Sequence, residues 1–157
     1  MLIVVKVVGG VSGFVEPPGA NRPGPGHRFF FSDNLVLEEI DGKKPGPGGL
    51  PPEEKDRRAG TQSGFVTTVR TPDPTDPFVA GGNILLQYEG TYWLNAVAGL
   101  QEGQITARGV VLKKDGQNVG IPTFAITGGT KAYATARGQV TEKREQDKEL
   151  RLLDIVL

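Results

Sequence analysis

The chain has no cysteine, one histidine, one tryptophan and no surplus of either charge, with 18 Lys and Arg balancing 18 Asp and Glu over 157 residues. Without cysteine there is no disulfide framework, thiol nucleophile or thiolate metal site. His27 alone supplies neither a multi-histidine metal site nor an ordinary catalytic triad with a histidine to spare, so no metal is expected. The zero net charge removes the electrostatic argument for nucleic acid or an anionic membrane, because phosphate binding leans on an excess of Lys and Arg. No apolar run approaches the roughly 20 residues of a membrane helix. Met1 to Val8 is interrupted by Lys6, has no basic flank or cleavage site, and reads as a strand. With no targeting signal in view, the expected location is the cytoplasm.

What the chain does have is glycine and proline, 23 and 12 residues. Eleven of the twelve prolines fall in three zones, 16–26 (EPPGANRPGPG), 41–52 (DGKKPGPGGLPP) and 71–77 (TPDPTDP). Proline lacks a ladder donor and glycine accepts unusual backbone angles, so these zones are loops. Between them, runs rich in Val, Ile, Thr, Phe and Tyr predict eight strands at about 2–8, 27–40, 60–70, 83–100, 103–113, 122–127, 132–143 and 149–157. Hairpin turns are expected at Leu100–Gly103 and at Lys114-Asp115-Gly116, and a single helical turn at 52–58. The whole chain, 1–157, is expected to form one all-β domain, a closed antiparallel eight-stranded barrel with long Pro/Gly-rich loops.

Alternation decides which side chains enter the lumen. Ile84, Leu86, Tyr88, Tyr92, Leu94, Ala96, Ala98 and Leu100 share one face of the fourth strand, and Phe29, Phe31, Leu35 and Leu37 share one face of the second, with Asp33 among them. Ile105, Ala107, Gly109 and Val111, then Ala134, Ala136, Gly138 and Val140, form inward rows of largely small residues opposite Arg108 and Arg137. Such a wall leaves room for a ligand, unless the tyrosines and phenylalanines reach across and fill it. Enlarging Ala136 to Phe would block such a cavity. Loops at 16–26, 41–59 and 71–82 are the expected cap over its mouth.

The same residues carry a family resemblance. The segment 124–141, FAITGGTKAYATARGQVT, resembles the ITGGTGxYxxARGxV signature of dirigent and allene oxide cyclase-like proteins, and 102–111, EGQITARGVV, resembles the GQITxxGxx strand of their bacterial relatives. GFVTTVR at 64–70 and FSDNL at 31–35 look like two further stations in the same order. The resemblance implies an eight-stranded barrel, usually oligomeric, that handles small apolar molecules without a cofactor and steers cyclisation or radical coupling. Lys131 stands where the family has glycine, and the first strand lacks the carboxylate of the allene oxide cyclases proper.

The candidate catalytic residues are Tyr88, Tyr92 and Asp33. A phenol beside apolar rings can hold a carbonyl while stacking on a polyene, or serve as plain core. A carboxylate on an apolar face needs a donor or cation close by, and Asp33 either meets one inside or caps a loop at the rim. The candidate substrate-binding residues are Phe29, Phe31, Phe65, Leu86, Leu94, Ala107, Ala134, Ala136 and Arg137. Arg137 is pulled inward by the family match and outward by alternation. Trp93, outward with Thr91 and Val97, is read as a subunit contact of a homo-oligomer, dimer or trimer. His27 is read as solvated, Gly128 and Gly129 as turn residues, and the charge run 142–151 as a hairpin tip in water. The function expected is a cofactor-independent cyclase of specialised metabolism, folding an apolar polyene or polyketide-like substrate for a Diels-Alder type addition. The alternative is a non-catalytic dirigent-type protein or apolar small-molecule binder. A lipocalin-like carrier fits less well, because Trp93 is far from the first strand.

Overall fold

A computed structural model describes residues 1–15, 24–71 and 82–157. Nine strands are present: β1 (Leu2–Val15), β2 (Arg28–Ile40), β3 (Arg58–Arg70), β4 (Asn83–Leu94), β5 (Gly103–Lys114), β6 (Gln117–Asn118), β7 (Thr123–Lys131), β8 (Arg137–Glu145) and β9 (Lys148–Val156). Neighbours pair antiparallel in the order β4-β3-β2-β1-β9-β8-β7-β5-β6, and β4 also pairs with β5, so the sheet runs in a ring. A one-turn 3-10 helix at Glu54–Arg57 is the only helix among the described residues, none of which forms a helix long and apolar enough to cross a membrane.

The turn expected at Lys114-Asp115-Gly116 is present, whereas the one expected at Leu100–Gly103 falls earlier, at Ala98 and Gly99 (φ 49° and 93°), and Gly103 already begins β5. Asp115 and Gly116 both take positive φ, 49° and 78°, the pair of values a two-residue hairpin needs to match strand twist. Four strand boundaries differ from expectation, each for a local reason. β1 continues to Val15 because Gly9-Gly10 is a bulge and not a stop: the register slips between Val8 and Gly10, and a Cβ on Gly10 would lie 2.0 Å from the Ser32 carbonyl oxygen. The slip changes parity, so Ile3, Val5 and Val7 face inward before it and Ser12 and Phe14 after it. β4 ends at Leu94, and β8 begins only at Arg137, because 132–135 is a turn. Gly128 and Gly129 lie inside β7. Gly129 gives backbone clearance to Tyr133, whose Cβ would be 3.0 Å from an added methyl, and Gly103 gives clearance to its ring. The GGT-x-x-Tyr signature is thus a stopper: Tyr133 plugs the end of the ring and donates to the Gln101 carbonyl at 3.1 Å.

That end is packed solid. Ile3, Val5, Leu35, Leu37, Leu94, Ile105, Ala136, Leu153 and Ile155 are all buried there with Tyr92 and Tyr133. The 41–57 segment closes it, with Leu50 in the core and the buried Arg57 donating to the Leu37 carbonyl beside Glu38. The expectation that 41–59 caps a cavity mouth is therefore corrected. It connects β2 to β3 at the filled end, whereas the strand ends Val15, Arg28, Arg70 and Asn83 lie at the other. The remaining expected cap loops lie mostly outside the described residues.

Candidate active site

The other half of the lumen is open. A cavity of about 950 Å³ is bounded by β1 to β5, β7, β8, β9 and the 118–122 segment. Its two sides differ in chemistry. Phe29, Phe31, Val66, Leu86, Val111 and Phe124 make an apolar wall, and Glu142, Arg144, Glu149 and Arg151 make a charged one.

Tyr88 divides the apolar wall. Its ring lies between Phe31 and Phe124, with centroids 5.7 and 3.8 Å away and planes within 17° of parallel. The small residues of β5 make this possible: a Cβ on Gly109 would sit 2.9 Å from the Phe124 ring. The room expected for a ligand beside Ala107 and Gly109 is occupied by these stacked rings, and the cavity lies on the opposite side of them. Gly90 is not a bulge, since pairing runs unbroken through it on both sides. It is the bare backbone against which the Tyr88 hydroxyl rests.

The Tyr88 hydroxyl meets the Tyr92 hydroxyl at 2.8 Å. Burial pushes both phenols up, Tyr88 well above the ordinary value and Tyr92 to about 12, the nearby Arg151 guanidinium restraining Tyr92. Tyr92 stands in one cross-strand row with Gln62 and Asp33. Gln62 is buried and its Nε2 donates to Asp33 Oδ2 at 2.8 Å, which supplies the donor that an inward carboxylate requires. Across the lumen, Arg151 Nη2 lies 3.1 Å from Glu142 Oε1 and 2.6 Å from Glu149 Oε1. Burial pushes Glu142 up, with Arg151 opposing. Arg151 is itself held further toward the charged form: burial works against its charge and is outweighed by Glu142, Tyr92 and Glu149. A polar layer of Asp33, Gln62, Tyr92, Tyr88, Arg151 and Glu142 thus separates the filled half of the ring from the open half. Among the described residues no group of three or more metal-ligating side chains is close enough to hold an ion.

Of the sequence candidates, Asp33, Tyr88, Phe29, Phe31 and Leu86 line the cavity, and Tyr92 lies directly beneath it. Leu94, Ala107 and Ala136 belong to the packed core and do not reach the cavity. Phe65 points outward, 41 % exposed, with the Arg28 guanidinium carbon 5.8 Å from its ring centre. Ala134 sits exposed in the 132–135 turn. Arg137 is exposed and donates to the carbonyls of Ala136 and Thr135. The charge run is not only a wet hairpin tip. Extending inward parity from Val140 gives Glu142 and Arg144, and from Leu153 gives Arg151 and Glu149. His27 is buried at the mouth, with no partner for its Nε2 among the described residues.

No family model matches the chain, and no curated protein matches it. Solved structures do. The chain is similar to a pyocyanin demethylase, with a TM-score of 0.56 and 24% identity, covering 99% of this chain and 98% of that one. The two share an all-β, barrel-like fold. That likeness speaks to the scaffold. The polar layer and the two walls are properties of the residues here.

Proposed function

We propose that the chain is a cofactor-independent cyclase that binds an apolar polyene or polyketide-like molecule in the open half of its lumen and promotes intramolecular cyclisation of the Diels-Alder type. The observation that carries this is the Tyr88–Tyr92 hydroxyl pair set in an aromatic wall of a cavity of about 950 Å³. A volume near the upper end of the range for small-molecule sites accommodates a folded chain. Holding diene and dienophile in contact removes much of the entropic barrier, and a phenol donating to a conjugated carbonyl stabilises charge that develops as the bonds form. The structural neighbour is by name an enzyme acting on a small molecule, which supports small-molecule processing in this scaffold. The exposed Trp93 of β4 supports the further reading of a homo-oligomer, dimer or trimer; sedimentation showing only monomer at micromolar concentration refutes it.

The test uses a synthetic chain that tethers a conjugated diene to an enone, with ring formation followed by chromatography. The protein should accelerate ring closure over buffer. Val66→Trp should abolish the acceleration, because Val66 lines the cavity next to Phe29 and Tyr88, whereas Ala136 lies in the filled end. Binding of the probe with no change in rate refutes the cyclase and favours the alternative, a dirigent-type binder that guides coupling without bond chemistry of its own.

A further inference from the structure

The ring is closed along only half of its seam. β1 pairs with β9 from Leu2 to Lys6 and, among the described residues, has no neighbour on that side from there on, while its pairing with β2 continues to Val15. Gly9 to Val15 (GGVSGFV) is therefore an open edge, with backbone donors and acceptors turned away from β2. Nothing blunts it. The segment has no proline and no charge, the usual guards of an exposed edge, and it leaves Val11 66 %, Phe14 74 % and Val15 51 % exposed. Phe14 is exposed although it lines the cavity with Ser12, so the wall stands open here between β1 and Lys143, Arg144 and Glu149 of the β8–β9 hairpin.

The order of large and bare residues along this edge fits a copy of itself. Antiparallel pairing about a two-fold axis at Ser12 sets Val11 against Gly13, Phe14 against Gly10 and Val15 against Gly9 of the second copy. Each large side chain meets a glycine, and no two large ones meet. A ring laid across a bare glycine is a stabilising cross-strand arrangement. β2 accounts for two of the three glycines: an added Cβ would meet the Ser32 carbonyl oxygen at 2.0 Å from Gly10, and the Phe30 ring at 2.8 Å from Gly13. Gly9 has open space beside it and no positive φ, so nothing in the chain itself requires glycine there. Val15 of a second copy fills that space. With no charge along the edge, two copies approach without like-charge cost.

We propose that two copies of the chain pair antiparallel along Gly9–Val15 of β1 in an isologous dimer, and that each lends its Phe14 to the open side of the other's cavity. Directly opposed residues share a face of the sheet, so Phe14 of one copy emerges beside Gly10 and Ser12 on the lumen side of the other. The edge is separate from the surface at Trp93 on β4, and the pairing does not depend on the cyclase reading.

The chain has no cysteine, so single cysteines report the register without background. In the proposed pair Ser12 lies opposite itself, with Cα atoms about 4.5–5.5 Å apart, within the range of a disulfide. Phe14 stands about 14 Å from its copy, four residues away at about 3.4 Å each. Ser12→Cys should form a disulfide-linked dimer under mild oxidation, and Phe14→Cys should not. Equal linkage at the two positions, or none at Ser12→Cys, overturns the proposal. Val11→Lys sets two lysines diagonally across the axis on the solvent face, and should weaken dimerisation about tenfold or more in sedimentation equilibrium while the circular dichroism spectrum stays that of the wild type. Trp93→Ser should leave this dimer intact. Association that survives Val11→Lys and is lost in Trp93→Ser overturns the edge pairing and leaves the oligomer reading to the β4 surface, whereas a wild type that stays monomeric overturns both.

Discussion

Gly90→Ala probes the centre of the site with one methyl group. Gly90 has ordinary extended backbone, so alanine meets no φ penalty there. On backbone grounds alone it should stabilise by about 0.4–1 kcal/mol through loss of freedom in the unfolded chain. The obstacle is Tyr88. The new Cβ would stand 2.3 Å from its hydroxyl oxygen and 2.7 and 2.8 Å from two ring carbons, where carbon contacts are comfortable at about 3.5–4.0 Å. The ring cannot slide sideways between Phe31 and Phe124, so it must lift, and lifting breaks the 2.8 Å contact with Tyr92. Overpacking costs about 1–3 kcal/mol and the lost hydrogen bond about 0.5–1.5, which against the backbone gain leaves a net destabilisation of about 0.5–4 kcal/mol. Urea unfolding at unchanged m-value measures it. In a Tyr88→Leu background the colliding atoms are gone, and the same substitution should become neutral or stabilising. Equal cost of Gly90→Ala in both backgrounds, or no cost in either, refutes the placement of Tyr88 over Gly90.

Two further outcomes test other parts of the site. Glu142 has its folded-state pKa raised, so its contribution to stability is fully present below the unfolded value of 4.5 and is lost as pH rises through the folded value. Glu142→Gln should flatten the fall in stability with rising pH across that window, read from melting temperatures in a buffer series; an unchanged slope contradicts burial of this carboxyl. Arg137→Ala should change stability by no more than about 0.5 kcal/mol and leave ligand binding intact, since the side chain is exposed and, among the described residues, donates to carbonyls of its own turn. A large loss of binding would return Arg137 to the cavity.

The walls of the site were legible to different degrees. Alternation in 84–94 and 105–111 places Tyr88, Tyr92, Leu94, Ile105 and Ala107 inside because those strands contrast an apolar face with a polar one. In 142–151 both faces carry charge, so the period-two contrast vanishes, and Glu142 and Arg151 pass for solvated residues. Their orientation was recoverable only by carrying parity along from Val140 and Leu153. Parity itself fails at Gly9, where the bulge shifts the inward set by one and hides Ser12 and Phe14. The small residues of β5 were read correctly as inward, but their consequence was not. Composition cannot say whether space beside a glycine is kept for a ligand or taken by Phe124 from the neighbouring strand. The GGT-x-x-Tyr signature carries the resemblance and yet stands at the filled end, where it secures the scaffold and touches nothing in the cavity.

The closure of the sheet has a kinetic consequence. Most pairings join strands that follow one another closely, and can form as local hairpins. The β1–β9 seam instead joins Leu2 to Asp154 and Lys6 to Leu150, so nearly the whole chain is the loop that it closes. The entropy of such a closure is recovered only after the hairpins are in place, which makes this seam the last to form and the first to part. Substitutions along it, such as Ile3→Ala, should therefore accelerate unfolding while leaving the folding limb of a chevron nearly unchanged, whereas an equal destabilisation within the β4–β5 hairpin should slow folding. The lifetime of the folded ring, as distinct from its equilibrium stability, is set along that one line of hydrogen bonds.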